Sequence, residues 1–507
     1  MTEVAGLGRA CWPYAAGVRI LHLSWEYPPV VYGGLGRHVH AIAQTQAALG
    51  FDVTVITQAA EGASPDEVVN GVRVLRVSPD APHVPLDEEH LLAWVAGFNS
   101  AVARAGIRLM RSWVPQVVHG HDWLVAHAAA VIKEAARIPY VTTMHATEAG
   151  RHQGWLPNEL SRSIHSIEWW STYEARRVIA CSEHMRWEVG QLFNPPLDKT
   201  VVIANGIDPD RWRVTARQRQ IARAQYQTPL VVFTGRLEWE KGVHTLIDAM
   251  PRLRRQVAGV HLVIAGRGSA DAQLREQVKA KRLGKAVNFL GWLPEEQLHA
   301  LVAAADAVVV PSLYEPFGIV ALEAASVGTP LVVARTGGLA ELVEDGVTGR
   351  TFAPGNVVEL ASALAQVLLD PPRAAASARA ARTKVRSDFG WPAIAAQTVE
   401  VYREAIADES RPQTISAAKL AGLVGPPDPL PGNLLTGAVS SRLGSLRGRE
   451  PTRSATSAIH YCGICAMGDP KSGVVTVVPN SVLAVPRLQG SQSAHNYHRV
   501  CFLRQTC

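Results

Sequence analysis

One pattern governs most of the chain. From residue 18 to about residue 407, short β-branched and apolar runs alternate with longer segments of helical period. The first half contributes apolar runs at 18–25, 52–57, 72–77, 116–121, 139–145 and 177–182. The second contributes 230–237, 261–266, 287–292, 307–312 and 330–335. Helix patterns lie between them, among others at 35–49, 244–257, 294–304 and 357–369. In the first of these, Leu35, Val39, Ile42, Gln46 and Leu49 follow a 4-3-4-3 spacing, with Gln46 the one polar member of the stripe. That spacing marks one face of an amphipathic helix. Continuous apolar strands joined by helices predict buried parallel sheets with right-handed crossovers. The alternation runs twice, with turn chemistry at Asn205-Gly206-Ile207-Asp208-Pro209 between the two runs. The chain therefore reads as an α/β protein of two Rossmann-like domains, 18–205 and 206–385. A helical segment, 386–407, is expected to return to the N-terminal domain. Beyond it, 408–507 has Pro-rich and Ser/Arg-rich runs and no periodicity, and reads as a low-order basic tail.

Composition narrows the class. Hydrophobic residues make up 47% of the 507 and charged residues 19%, which excludes global disorder. No apolar stretch reaches the roughly 18–20 residues that span a bilayer. The N-terminus, with Glu3 and Arg9 and no continuous apolar core, does not read as a secretory signal. A cytoplasmic protein is expected. The net charge of +6 is uneven: 411–507 carries ten Lys/Arg against three acids, so the body is close to neutral. It shows no electrostatic footprint of a nucleic-acid binder. Only Cys11 and Cys181 precede the tail, too few for a disulfide framework. In the tail, Cys462 and Cys465 have zinc-knuckle spacing, with Cys501, His495 and His498 to follow. No second CxxC pair accompanies them, and the spacing reads as accidental.

In two-domain α/β proteins the ligand lies at the C-terminal ends of the strands, so the segments after each strand matter most. After the first comes Val31-Tyr32-Gly33-Gly34-Leu35-Gly36 and a helix start, a place where backbone amides can meet a phosphate. After 230–234 comes Gly235-Arg236-Leu237-Glu238-Trp239-Glu240-Lys241-Gly242. Its two cations suit a diphosphate. The most specific segment is Pro311-Ser312-Leu313-Tyr314-Glu315-Pro316-Phe317-Gly318-Ile319-Val320-Ala321-Leu322-Glu323. It presents Glu315 on a loop, the amides of Gly318, Ile319 and Val320 at a helix start, and Glu323 inside that helix. A carboxylate accepts two hydrogen bonds from vicinal hydroxyls, as on hexose or ribose.

Together with His145 after a strand, Asn205-Gly206-Ile207-Asp208, and Thr336-Gly337-Gly338 with Glu341, these motifs resemble the retaining GT-B glycosyltransferases of family 4 over about residues 18–407. Trp25-Glu26-Tyr27-Pro28-Pro29 and His119-Gly120-His121-Asp122-Trp123 look like actinobacterial α-1,4-glucan glucosyltransferases of the glycogen synthase type. Two positions depart from that type: Val31 and Tyr32 stand where a lysine usually precedes the two glycines, and Phe317 where a cysteine is usual.

The resemblance implies a GT-B fold with a cleft between an acceptor-side N-terminal domain and a nucleotide-sugar-binding C-terminal domain. It also implies roles. Arg236 and Lys241 neutralise the donor diphosphate, Glu315 holds donor-sugar hydroxyls, and Glu323 holds the ribose. Gly33 and Gly34 approach phosphate or sugar through their amides. His145 lies beside the donor sugar with its main-chain carbonyl facing the anomeric carbon. Asp122 contacts sugar on the acceptor side, and Asn205 lies at the domain junction. The expected donor is ADP- or UDP-glucose, and the acceptor a glucan or oligosaccharide, or glucose 1-phosphate or a lipid or glycoside in related enzymes. No metal is expected, as no DxD segment suggests one. Separately, the lack of a well-supported carboxylate nucleophile pair of the hydrolase kind favours front-face retention. A nucleotide-sugar epimerase and a non-catalytic sensor are the competing readings; the Glu315/Glu323 pair argues against the first, and the intact set of Arg236, Lys241, Glu315, Glu323 and His145 against the second. Trp25, Trp123 and Trp155 read as core or as stacking platforms for glucan rings. His119, His121, His127, His152 and His165 read as structural rather than metal-binding.

Overall fold

The structure, a computed structural model, describes residues 17–80, 83–226 and 229–409. The expected low-order tail and its cysteines lie outside the described residues from 410 onward. The first sheet is built from β1 (Arg19–Leu23), β2 (Asp52–Gln58), β3 (Asp66–Val69), β4 (Val72–Val77), β5 (Val117–His121), β6 (Tyr140–Met144), β7 (Arg177–Ala180) and β8 (Thr200–Val202). Their order is β3-β4-β2-β1-β5-β6-β7-β8, parallel except for the β3–β4 pair. The second sheet holds β9 (Leu230–Thr234), β10 (His261–Ala265), β11 (Val287–Gly291), β12 (Ala307–Val310), β13 (Leu331–Ala334) and β14 (Arg350–Phe352), parallel in the order β11-β10-β9-β12-β13-β14. The central strands of the second sheet are buried and, apart from Thr234, apolar, as strands covered by helices on both faces must be. Those of the first sheet are buried too but carry His22, His119, His121, Thr142 and Thr143.

In both sheets the chain moves outward from a central strand and then restarts on that strand's other flank. The reversal falls between β1 and β5 in one sheet and between β9 and β12 in the other. Crevices open beyond the carboxyl ends of strands at such reversals. The glycine loop follows β1, Asp122 follows β5, Arg236 and Lys241 follow β9, and Glu315 follows β12.

The helix Pro371–Asp388 packs on the second half, and the next helix, Trp391–Glu409, packs on the first. Ile394, Val399, Val401 and Tyr402 are buried in one cluster with Ile20, Val39, Ile42, Val53, Val117 and Val141. Each such aliphatic side chain contributes roughly 1.5–3 kcal/mol by burial, which is what draws the helix back across. The chain thus passes between the halves twice, and a backbone bond from the Ile207 amide to the Phe389 carbonyl (2.8 Å) ties the two passages. This last helix extends to Glu409, two residues beyond the sequence expectation.

Candidate active site

The loop after β9 and the loop after β12 meet through charge. Lys241 Nζ lies 2.9 Å from Glu315 Oε2, and Ser312 Oγ donates to the same oxygen at 2.9 Å. Both charged side chains are largely enclosed. Lys241 and Glu315, which the sequence directs at diphosphate and sugar, therefore neutralise each other. Arg236 reaches Glu240 at 3.2 Å and remains partly exposed. The approach of these loops depends on Gly242: a Cβ there would stand 2.0 Å from the Pro311 carbonyl oxygen, and its φ is +67°. Gly337 plays the same part against the Glu315 carbonyl, at 2.0 Å and φ +50°.

The helix Ile319–Val327 starts at Gly318 (φ +107°) without a side-chain cap. Its first amides therefore carry the partial positive charge that an anion complements. Glu323 lies one turn further on and is buried. Burial raises its carboxyl pKa, and the Arg37 guanidinium pulls it back. Arg37 comes from the helix Gly34–Ala48 of the other half, so this ion pair bridges the cleft. Gly34 closes on the same helix: a Cβ at Gly34 would stand 2.9 Å from Ile319 Cδ1.

The Gly33 amide does not stand free for phosphate. Glu26 Oε2 accepts from the amides of Tyr32 (2.7 Å) and Gly33 (3.0 Å). Burial raises the pKa of this carboxyl, and bonds from the amides of Tyr32, Gly33 and Gly36 oppose the rise. A side-chain carboxylate thus occupies the anion position at this helix start. The physical reason is that a buried carboxylate needs donors, and the glycine turn supplies them.

Asp122, expected as a sugar contact, is likewise buried. It is 6% exposed, and its Oδ1 accepts from the His145 amide at 2.7 Å. Its backbone sits at φ +60°, ψ −179°, a conformation otherwise almost confined to glycine and costing about 1–3 kcal/mol. Burial pushes its pKa up to about 6 against the pull of the His145 and Ala146 amides. Asp122 thereby holds the backbone of the loop that carries His145.

Behind this loop five histidines gather. His22 Nδ1 lies 3.0 Å from His121 Nε2, and His121 Nδ1 lies 3.2 Å from His145 Nε2. His119 bonds Tyr402 Oη (2.6 Å) and Thr143 Oγ1 (2.7 Å). His38 packs edge-on against His145 and Trp391. Burial lowers every one of these pKa values, to about 4 at His22 and about 3 at His145. His22, His119 and His121, and separately His38, His121 and His145, offer ring nitrogens within 4.8 Å of one another. Of the histidines weighed in the sequence, His127 stacks on Trp170, and His152 and His165 stand apart from this group. Asn205 is buried at the crossing between the halves. Trp25 stacks on Tyr32, and Trp155 is exposed.

Several contacts across the cleft had no sequence signal. Tyr314 Oη accepts from the Thr147 amide (3.1 Å) and donates to Glu188 (2.8 Å). Ser182 Oγ donates to the Pro316 carbonyl (2.6 Å), and Glu341 accepts from the amides of Glu183 and His184. The bonds of Tyr314 and Pro316 dock the Glu315 loop against the first half, and those of Glu341 dock the short helix Leu339–Leu342 beside it.

Comparison with known proteins agrees with this architecture. Residues 32–211 match the model for Glycosyltransferase Family 4, and 214–384 the model for Glycosyl transferases group 1. Glycogen synthase from Mycobacterium tuberculosis is 47% identical over 407 residues, covering 78% of this chain and 97% of that protein. Alpha-maltose-1-phosphate synthase from the same organism is 31% identical over 419 residues, covering 77% and 100%. Among solved structures, sucrose-phosphate synthase from Thermosynechococcus elongatus superposes with a TM-score of 0.68 at 25% identity, covering 77% and 99%.

Proposed function

Because the chain belongs to the family 4 glycosyltransferases, enzymes of the GT-B fold, we propose that it is a retaining α-glucosyltransferase that moves glucose from ADP- or UDP-glucose to an α-1,4-glucan acceptor. The observation that carries the glucan reading is the 47% identity to a glycogen synthase across nearly that protein's whole length.

In this reading the second sheet, with residues 206–385, binds the nucleotide sugar. The first sheet, with residues 18–205 and the returning helix, faces the acceptor. Leaving-group charge grows on the diphosphate as the glycosidic bond breaks. Arg236, Lys241 and the amides of Ile319 and Val320 stabilise that charge. This donor set supplies its positive charge without calling for a metal. Glu315, released from Lys241 as the lysine turns to phosphate, takes hydroxyls of the donor glucose. Glu323 takes the ribose hydroxyls once Arg37 yields. The main-chain carbonyl of His145, held in place by Asp122 through the adjoining amide, faces the ring carbon that becomes electron-poor. Transfer then proceeds on one face: the diphosphate leaves, its oxygen receives the acceptor proton, and the acceptor oxygen bonds the anomeric carbon from the side just vacated.

A second acceptor, glucose 1-phosphate, is favoured by the full-length similarity to a maltose 1-phosphate synthase. The test is incubation with ADP-glucose and UDP-glucose separately, each with malto-oligosaccharides or glucose 1-phosphate, and linkage analysis of the products. New α-1,4 bonds are expected, and absence of glucosyl transfer from both donors overturns the reading.

A further inference from the structure

The hydrogen bonds behind His145 form a directed chain with a single controlling group at its far end. His22, His121 and His145 are linked ring to ring, and the outer nitrogen of His22, Nε2, meets Gln46 Oε1 at 2.8 Å. Gln46 is fully buried on the helix Gly34–Ala48, on the stripe that is otherwise apolar. A polar residue at that place needs partners, and the histidine chain is what it serves.

Burial holds each ring neutral, so each carries one N–H and one bare nitrogen. With one proton per ring, the direction of the first bond dictates all the others. Gln46 Oε1 can only accept, so His22 bears its proton on Nε2 and accepts at Nδ1. His121 must then donate from Nε2 and accept at Nδ1, and His145 must donate from Nε2. The amide orientation is itself held from the other side. Gln46 Nε2 faces Tyr402 Oη at 3.4 Å, and Tyr402 Oη lies 2.6 Å from His119 Nδ1, whose Nε2 meets Thr143. His22 and His121 are buried, whereas His145 is partly exposed. The remaining nitrogen, His145 Nδ1, is therefore the open end of the chain.

We propose that Gln46 is a positioning residue that, through His22 and His121, fixes His145 in the tautomer with a bare Nδ1, so that the site presents a hydrogen-bond acceptor there. This rests on the reading that a glucosyl donor lies beside His145. A bare nitrogen accepts from a sugar hydroxyl and rejects an acceptor-only oxygen of phosphate or carboxylate. Turning the Gln46 amide over would reverse every proton and present an N–H instead. The same nitrogens also lie close enough to suggest a metal site. The hydrogen bonds already made by His22, His121 and His119 favour the proton chain.

The experiment labels the histidine rings of the full chain with 15N and reads which nitrogen bears hydrogen. His145 is identified by loss of its signals in His145→Gln. In the wild type, His22, His121 and His145 are expected protonated at Nε2 and bare at Nδ1. Gln46→Met should let the His145 tautomers mix and lower kcat about tenfold, the size of one lost hydrogen bond, with donor KM little changed. Gln46→Glu, which can only accept at the same place, should restore both the tautomer and most of the turnover.

A protonated Nδ1 at His145 in the wild type overturns the proposal, and so does a fall in kcat in Gln46→Met with the tautomers unchanged. A metal that co-purifies in stoichiometric amount and shifts the bound ring nitrogens also overturns it. If Gln46→Met does not fold, the wild-type spectrum decides alone. Absence of glucosyl transfer would instead defeat the functional reading, since the ring protons are read without turnover.

Discussion

Lys241→Met separates what Lys241 does for the fold from what it does for the reaction. At 2.9 Å, the gross attraction between Lys241 and Glu315 is about 6 kcal/mol for an effective dielectric constant of about 20. Desolvation of both groups cancels much of this. Removing the ammonium strands Glu315 with Ser312 as its remaining side-chain donor, and a loss of about 1–3 kcal/mol in unfolding free energy is expected. Glu315→Gln added to Lys241→Met removes the stranded charge and should recover most of that loss, a coupling that a double-mutant cycle in urea would read. Turnover should behave differently. Lys241 gives a charge-assisted bond to a diphosphate whose charge grows in the transition state, worth about 1.5–3 kcal/mol or roughly 10–150-fold in kcat/KM. Because that bond is made to the ligand, the double variant should not recover it. Steady-state kinetics with the preferred donor beside the unfolding curves give both numbers. Unaltered kcat/KM in Lys241→Met, or wild-type turnover in the double variant, would refute the reasoning.

Other consequences are as direct. Glu315→Gln should act mainly on kcat and Glu323→Gln mainly on donor KM; abolished nucleoside diphosphate binding in the first with intact binding in the second would reverse the sugar and ribose assignments. Asp122 accepts the His145 amide when ionised, and its pKa is raised to about 6. Transfer should therefore rise with pH through about 6. The stability this group contributes is full below its unfolded value and is lost as pH rises through about 6. Asp122→Asn should flatten both dependences in a pH–rate profile and a pH series of unfolding curves. Truncation after Ser410 should leave turnover unchanged, and a folded but inactive product would contradict that.

The double alternation was legible because fully buried parallel strands are unbroken apolar runs, as in Ala307–Val310 and Leu331–Ala334. The strands that went unread lack that mark. Asp66–Val69 is a mostly exposed antiparallel edge, and Thr200–Val202 is short and half-buried. Site residues carried by local motifs, Arg236, Lys241, Glu315 and Glu323, stood out by spacing. Their partners did not. Arg37 pairs with a carboxylate 286 residues away, and Tyr314 with one 126 residues back. Gln46 was visible only as the odd member of an apolar stripe. Glu26 and Asp122 take backbone amides that no pattern of side chains announces.

The returning helix Trp391–Glu409 sets the order in which the newborn chain can mature. The first sheet is complete in backbone once residue 202 has emerged, yet the covering side chains Ile394, Val399 and Tyr402 are made some two hundred residues later. At about 5–20 residues per second, translation takes on the order of 10–40 s to supply them. Throughout that interval Val39, Ile42 and Val53 lack their cover, and His119 lacks the Tyr402 hydroxyl. The half synthesised first is thus the half finished last, and a ribosome stalled inside the second sheet would hold an open apolar face that chaperones must shield.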